Sequence, residues 1–223
     1  SIKLVNISSK ISKIKNNIPN NVRLIAVSKK RSNSEILDAY QAGQRLFGEN
    51  NALELKRKYS ELPDDIKWHM IGHLQTNKVK YIAPFISLIH SVDSIKLIKE
   101  INKRAKQNNR IINCLLQIHI AVESTKYGLN INQINEMIVE SDKLENIRII
   151  GFMGMASNTN NTAQINSEFA QLREIFNNYK SANIYQLSMG MSSDYKIAVR
   201  NGSNLIRVGS YIFEKSQKNE RNN

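Results

Sequence analysis

From residue 22 to residue 208 the chain repeats one unit: a short apolar run, then a stretch whose apolar residues return every three or four positions. The apolar runs fall at 22–27, 45–47, 67–71, 87–90, 111–120, 147–153, 184–187 and 205–208. Runs this short suit strands buried on both faces, and the stretches between them carry the helical period. Strand and helix in strict alternation predict a parallel sheet with helices as its crossovers. About eight such units in roughly 200 residues fit an α/β fold of one closed (β/α)8 barrel of the TIM type. A doubly wound open sheet is the alternative, but no Gly-rich dinucleotide fingerprint follows the first run, where that fold would place one.

The segments between the runs carry their own punctuation. Ser32 or Ser34 can cap a helix that Gly43 ends, and Ser94 can cap the helix over 94–107. The longest helix is expected at 162–179 and the longest strand at 111–120. Ahead of the first unit, Leu4, Ile7, Ile11, Ile14 and Ile18 lie at helical spacing, which predicts an extra N-terminal helix over 2–18. The expected organisation is a single domain over 1–223, with a polar tail at 214–223 that frays.

Composition narrows the function classes. The 32 Lys and Arg against 19 Asp and Glu give a net charge of +13, which raises nucleic-acid binding as a reading. The excess is spread along a chain rich in Lys, Asn and Ile and is not gathered in one segment, so no nucleic-acid partner is expected. It still favours anionic ligands such as phosphate esters. No segment approaches the roughly 20 apolar residues of a membrane span, and the N-terminus lacks the unbroken apolar stretch of a signal peptide. Cys114 is the only cysteine, so no intrachain disulfide forms and a reducing, cytoplasmic setting is expected. The four histidines have no cysteine company, so no metal is expected.

In a barrel of this kind chemistry gathers at the carboxyl ends of the strands. The first strand runs out into Ser28 and Lys29. A lysine there is partly desolvated and can act as a nucleophile towards an aldehyde, although taken alone it also reads as a side chain snorkelling to water. The seventh and eighth strands end in Leu187-Ser-Met-Gly-Met-Ser192 and Arg207-Val-Gly-Ser210. Loops after these two strands commonly bind phosphate, and here they offer small residues and the hydroxyls of Ser188, Ser192 and Ser210. Two ordinary turns, with Ser192 capping a helix, are the plainer alternative. A lysine on the first strand and a phosphate cup on the last two become neighbours when the barrel closes. Pyridoxal phosphate, a phosphorylated aldehyde, fits between them, with Arg207 facing its ring nitrogen.

At this point the motifs resemble a known family, the YggS/PROSC-type pyridoxal phosphate homeostasis proteins, whose fold is similar to the barrel domain of bacterial alanine racemase. The matching stretches are LIAVSK at 24–29, FGEN at 47–50, WHMIGHLQTNK at 68–78, HSVD at 90–93, ESTKYG at 123–128, GFM at 151–153, LSMGMS at 187–192 and RVGSYIF at 207–213. They keep the family's order over nearly the whole chain. The resemblance implies that Lys29 carries the cofactor as an internal aldimine and that Asn50 lies close to it. It further implies that Ser188, Gly209 and Ser210 hold the phosphate, that Arg207 meets the pyridine nitrogen, and that Met153 packs near the ring, a core methionine being the alternative. Lys126 matches a family lysine able to accept or relay cofactor, and a solvated loop lysine is the plainer reading. Trp68 and His69 read as core or supporting groups, with His73, Gln75, Asn77 and Lys78 at the rim.

Some positions depart from the family pattern. Lys30 and Arg31 stand where Thr and Lys are common, which doubles the local candidates for aldimine formation, though Lys29 alone closes the family motif. Ser210 replaces a threonine, and Glu214 stands where glycine often follows the last phenylalanine. The rival class is a racemase or decarboxylase. Racemisation needs bases on both faces of the reacting carbon, and the related racemases take the second from a carboxy-terminal domain across a dimer. With about ten residues after the last strand's loop, that domain is not expected here, and neither is its dimer. The expectation is therefore a monomeric carrier without amino-acid turnover that serves vitamin B6 homeostasis by sequestering the cofactor or delivering it transiently to acceptor enzymes.

Overall fold

Each apolar run becomes one strand of a parallel barrel in the computed structural model, which describes residues 2–124 and 127–215. The order along the chain is α1 (Ile2–Asn16), β1 (Arg23–Val27), α2 (Asn33–Gln41), β2 (Leu46–Glu49), α3 (Ala52–Glu61) and β3 (Lys67–Met70). A 3-10 turn at Thr76–Lys78 leads into α4 (Val79–Ile82), followed by β4 (Leu88–Val92), α5 (Ile95–Gln107) and β5 (Ile112–Gln117). A second 3-10 turn at Ile131–Gln133 opens α6 (Ile134–Asp142), and β6 (Ile147–Met153), α7 (Thr162–Tyr179), β7 (Gln186–Ser188), α8 (Tyr195–Arg200), β8 (Leu205–Val208) and α9 (Ser210–Phe213) complete it. The strands lie in chain order, and β1 closes the barrel against β8 with Ala26 opposite Val208.

Helix starts follow local chemistry. Ser32 caps α2 in a full capping box with Glu35, and Ser94 accepts from the Leu97 N–H at the head of α5. Ile7, Ile11 and Ile14 bury the inner stripe of α1, whereas Ile18 lies past its end. Three expectations change. The longest strand is β6, because beyond Gln117 the chain turns back and the His119 N–H bonds the Leu129 carbonyl. Ile184 precedes β7, since its N–H and C=O are both taken by Ser181 in a local turn. Ser192 caps no helix: α8 begins three residues later behind Asp194, and the Ser192 hydroxyl instead accepts from the N–H groups of Gly209 at 3.4 Å and Tyr211 at 3.3 Å.

Strand alternation sorts the core into two bodies. The larger fills the shell between strands and helices and includes Leu24, Ala26, Phe47, Trp68, Phe152, Ile206 and Val208. The smaller, Ile25, Leu88, Leu115, Ile150, Met153 and Leu205, fills the barrel interior. The interior also holds buried polar groups, His69, His90, Ser188 and Arg207, from β3, β4, β7 and β8. Among the described residues no helix is long and apolar enough to cross a membrane.

Candidate functional site

A cavity of about 580 Å³ opens at the carboxyl ends of the strands, within the roughly 300–1,000 Å³ usual for small-molecule sites. Its wall includes Lys29, Asn50, Ser192, Arg207, Gly209 and Ser210. The closure of β1 on β8 makes neighbours of residues far apart in the chain. A hollow of about 590 Å³ lies at the opposite end, near Asn113, Asp142, Arg148 and Tyr185, and gathers no comparable set of nucleophile and anion donors.

Lys29 stands just beyond β1, exposed on the cavity wall. Neither neighbouring cation lines the cavity: Arg31 pairs with Glu214 at 3.6 Å and lies over the Phe213 ring. The β7–α8 and β8–α9 loops meet through Ser192. Gly209 is a close-approach position, where a Cβ would sit 2.9 Å from Val27 Cβ and 3.1 Å from the Val27 carbonyl oxygen. A side chain there would crowd the seam between cup and lysine. Ser192, Ser193 and Ser210 supply hydroxyls around it, and α9 starts at Ser210. A lysine facing a cup of hydroxyls, small residues and an arginine has the donor set that a phosphorylated aldehyde requires.

Arg207 is buried at the cavity floor. Its Nη1 donates to Ser188 Oγ and its Nη2 donates to the Gly154 carbonyl at 3.2 Å. Burial lowers its pKa to about 10, the Asp194 charge partly opposing, so it remains a cation at neutral pH. Ser188 Oγ lies 2.9 Å from His90 Nδ1, and His90 Nε2 lies 2.9 Å from His69 Nδ1. Arg207 only donates, so Ser188 Oγ accepts from it; the Ser188–His90 and His90–His69 contacts each carry one proton, in the order that the His90 tautomer sets. Both rings are neutral: burial lowers the His69 pKa to about 3 and pushes His90 well below its usual value.

A sequence model of the alanine racemase N-terminal domain family matches residues 2–217. Pyridoxal phosphate homeostasis proteins of Aquifex aeolicus and Helicobacter pylori are 34% and 36% identical, over 87% and 86% of this chain and 87% of each relative. The chain belongs to this family. Among solved structures, PipY of Synechococcus elongatus without PLP superposes with a TM-score of 0.88 at 34% identity, covering 93% of this chain and 99% of PipY. The structure of PipY with PLP bound gives 0.82 at 32% identity, with the same coverage.

In this member of the homeostasis-protein family, the barrel brings five of the seven expected cofactor residues to one wall: Lys29, Asn50, Arg207, Gly209 and Ser210. Ser188 and Met153 are not on it. Both are fully buried, Ser188 spent on Arg207 and His90, and Met153 packed in the barrel interior with Ile25 and Leu205. The residue two positions further on, Met155, lines the cavity. His73 and Tyr127 also line it and stack with ring centroids 3.9 Å apart, a pairing between the loops after β3 and β5. Strand period carried past Met153 could have pointed to Met155; nothing local signals the His73–Tyr127 contact. Lys126 lies outside the described residues. No group of three or more His, Cys, Asp or Glu among the described residues could hold a metal ion.

Proposed function

We propose that this protein binds pyridoxal 5'-phosphate and serves vitamin B6 homeostasis, holding and releasing the cofactor and not turning over a substrate. The observation that carries the reading is one cavity shared by Lys29 at the end of β1 and the cup of Ser192, Gly209 and Ser210 beside β8. Relatives over 86–87% of this chain bear the homeostasis name, and PipY has been solved with PLP bound.

Bound pyridoxal phosphate supplies an electrophilic carbonyl on an electron-withdrawing ring. Lys29 Nζ would hold it covalently, the serine hydroxyls and Gly209 backbone would take the phosphate, and Asn50 would stand beside the ring. Arg207, a cation at neutral pH, would donate to the ring nitrogen and so keep a proton off it. An unprotonated ring nitrogen is a weaker electron sink than one paired with a carboxylate, which favours a carrier over a racemase or decarboxylase. Ser188 would act through Arg207, and Met153 would support the floor beneath Met155. In this reading a monomer hands cofactor to acceptor enzymes. The unpaired Cys114 fits a reducing cytoplasm.

The test is the absorption spectrum with pyridoxal phosphate before and after borohydride, followed by peptide mapping. A borohydride-sensitive band with the label on Lys29, and no exchange of amino-acid Cα protons in deuterated water, is the expected result. Label scattered over surface lysines would overturn the cofactor reading, and brisk exchange would overturn the carrier reading.

A further inference from the structure

Lys58 is a fully buried lysine on α3, and nothing above gives it a task. Its Nζ donates to Glu49 at 2.9 and 3.1 Å, lies 2.8 Å from Glu54 Oε1, and donates to the Ser28 carbonyl at 2.7 Å. Ser28 Oγ donates to the other side of the same cluster, at Glu49 Oε2. Burying a lysine and a glutamate costs more desolvation than a well-packed apolar pair would, so such a cluster is weak evidence for stability alone.

What the cluster grips is the turn that presents Lys29. The Arg31 N–H bonds the Ser28 carbonyl at 3.0 Å, which closes a four-residue turn with Lys29 and Lys30 at its centre. Lys30 has φ 59°, whereas Lys29 is not in the positive region. That is the type II pattern, whose third position favours glycine; a lysine there is strained. The turn is held at both ends of its strained peptides: Ser28 C=O by Lys58, and the Lys30 N–H by Glu54 Oε1 at 2.9 Å. Lys58 and Glu54 are themselves paired, so one cluster from β2 and α3 spans Lys29 on both sides.

We propose that Glu49, Lys58 and Glu54 form a clamp that holds the Ser28–Arg31 turn in its strained form and thereby aims Lys29 into the cavity. Lys58 and Glu54 are positioning residues that act through the backbone of Lys29. This rests on Lys29 being the carbonyl-attacking group proposed above.

The test separates aiming from binding. Pyridoxal phosphate reports on the lysine through borohydride trapping and mapping; 4-deoxypyridoxine 5'-phosphate lacks the aldehyde and reports on the cup alone. Lys58→Met and the partly exposed Glu54→Ala, which threatens folding less, are each expected to lower trapping at Lys29 about tenfold while changing analogue affinity less than about twofold. Lys30→Gly, placed in either background, removes the strain that the clamp opposes and is expected to restore most of the trapping. Wild-type trapping in both clamp variants, a parallel fall in analogue affinity, or no recovery with Lys30→Gly would each overturn the clamp. A wild-type protein that neither traps at Lys29 nor binds the analogue would instead bring down the cofactor reading on which it stands.

Discussion

His90 on β4 and Ser188 on β7 meet across the barrel interior, with Nδ1 2.9 Å from Oγ. Arg207 therefore leans on a line of neutral acceptors, Ser188, His90 and His69, that ends in a ring whose pKa is lowered to about 3.

That lowering sets an acid limit. His69 stays neutral in the folded protein but takes a proton in the unfolded chain below pH 6.5, so the unfolded state binds more protons as pH falls. Stability should be full above pH 6.5 and decline from there towards pH 3, by at most roughly 5 kcal/mol for this group. Urea unfolding across that range is the measurement, and His69→Leu should flatten the slope.

Ser188→Ala removes the acceptor of Arg207 Nη1 and the hydrogen-bond partner of His90 Nδ1 together. A loss of about 1–3 kcal/mol for each stranded group is expected in chemical denaturation. Cofactor affinity should fall as well, because the guanidinium loses its rest. Unchanged affinity would separate Arg207 from the ring.

Gly209→Val should weaken pyridoxal phosphate binding about tenfold or more, ~1.4 kcal/mol, by pressing on Val27 at the seam of cup and lysine. Equilibrium titration with the phosphorylated cofactor and with pyridoxal lacking phosphate should show the loss for the former alone.

Gly151→Ala tests the fold itself. The new Cβ would stand 1.8 Å from the Gln186 carbonyl oxygen, across the β6–β7 pairing where Gly151 lies opposite Gln186. The cost should reach or exceed the top of the ~1–3 kcal/mol range for overpacking, read as a fall in the urea midpoint.

Cys114 is fully buried, which pushes its thiol pKa up. Thiol reagents should therefore label it only as fast as the barrel opens, so labelling rate in mild denaturant should track global unfolding.

The barrel was legible because each strand is a local signal: the apolar run at 147–153 marks β6, and Ser32, one of the two serines able to cap, heads α2. That Lys29, Gly209 and Ser210 would share one end of the barrel was legible for a related reason, since strand ends can be read once the strands are known. Met153 lies in the interior cluster, as its core reading has it, because a strand's inward residues fall in layers and only the closed barrel shows which layer meets the cavity. The His69–His90–Ser188–Arg207 line joins four strands and leaves no spacing to detect. Lys58, in a helix of sequence ALELKRKYSE, reads as one more surface lysine until α3 is docked behind Glu49.

The seam at β1 and β8 also bears on how the protein comes into being. Lys29 leaves the ribosome before the Arg207–Ser210 cup, with six strands of the barrel made in between. A nascent chain therefore has half of the proposed site until β8 docks. A ligand that bridges lysine and cup would fasten the first strand to the last, favouring the closed barrel by mass action and resisting any opening that begins at that seam.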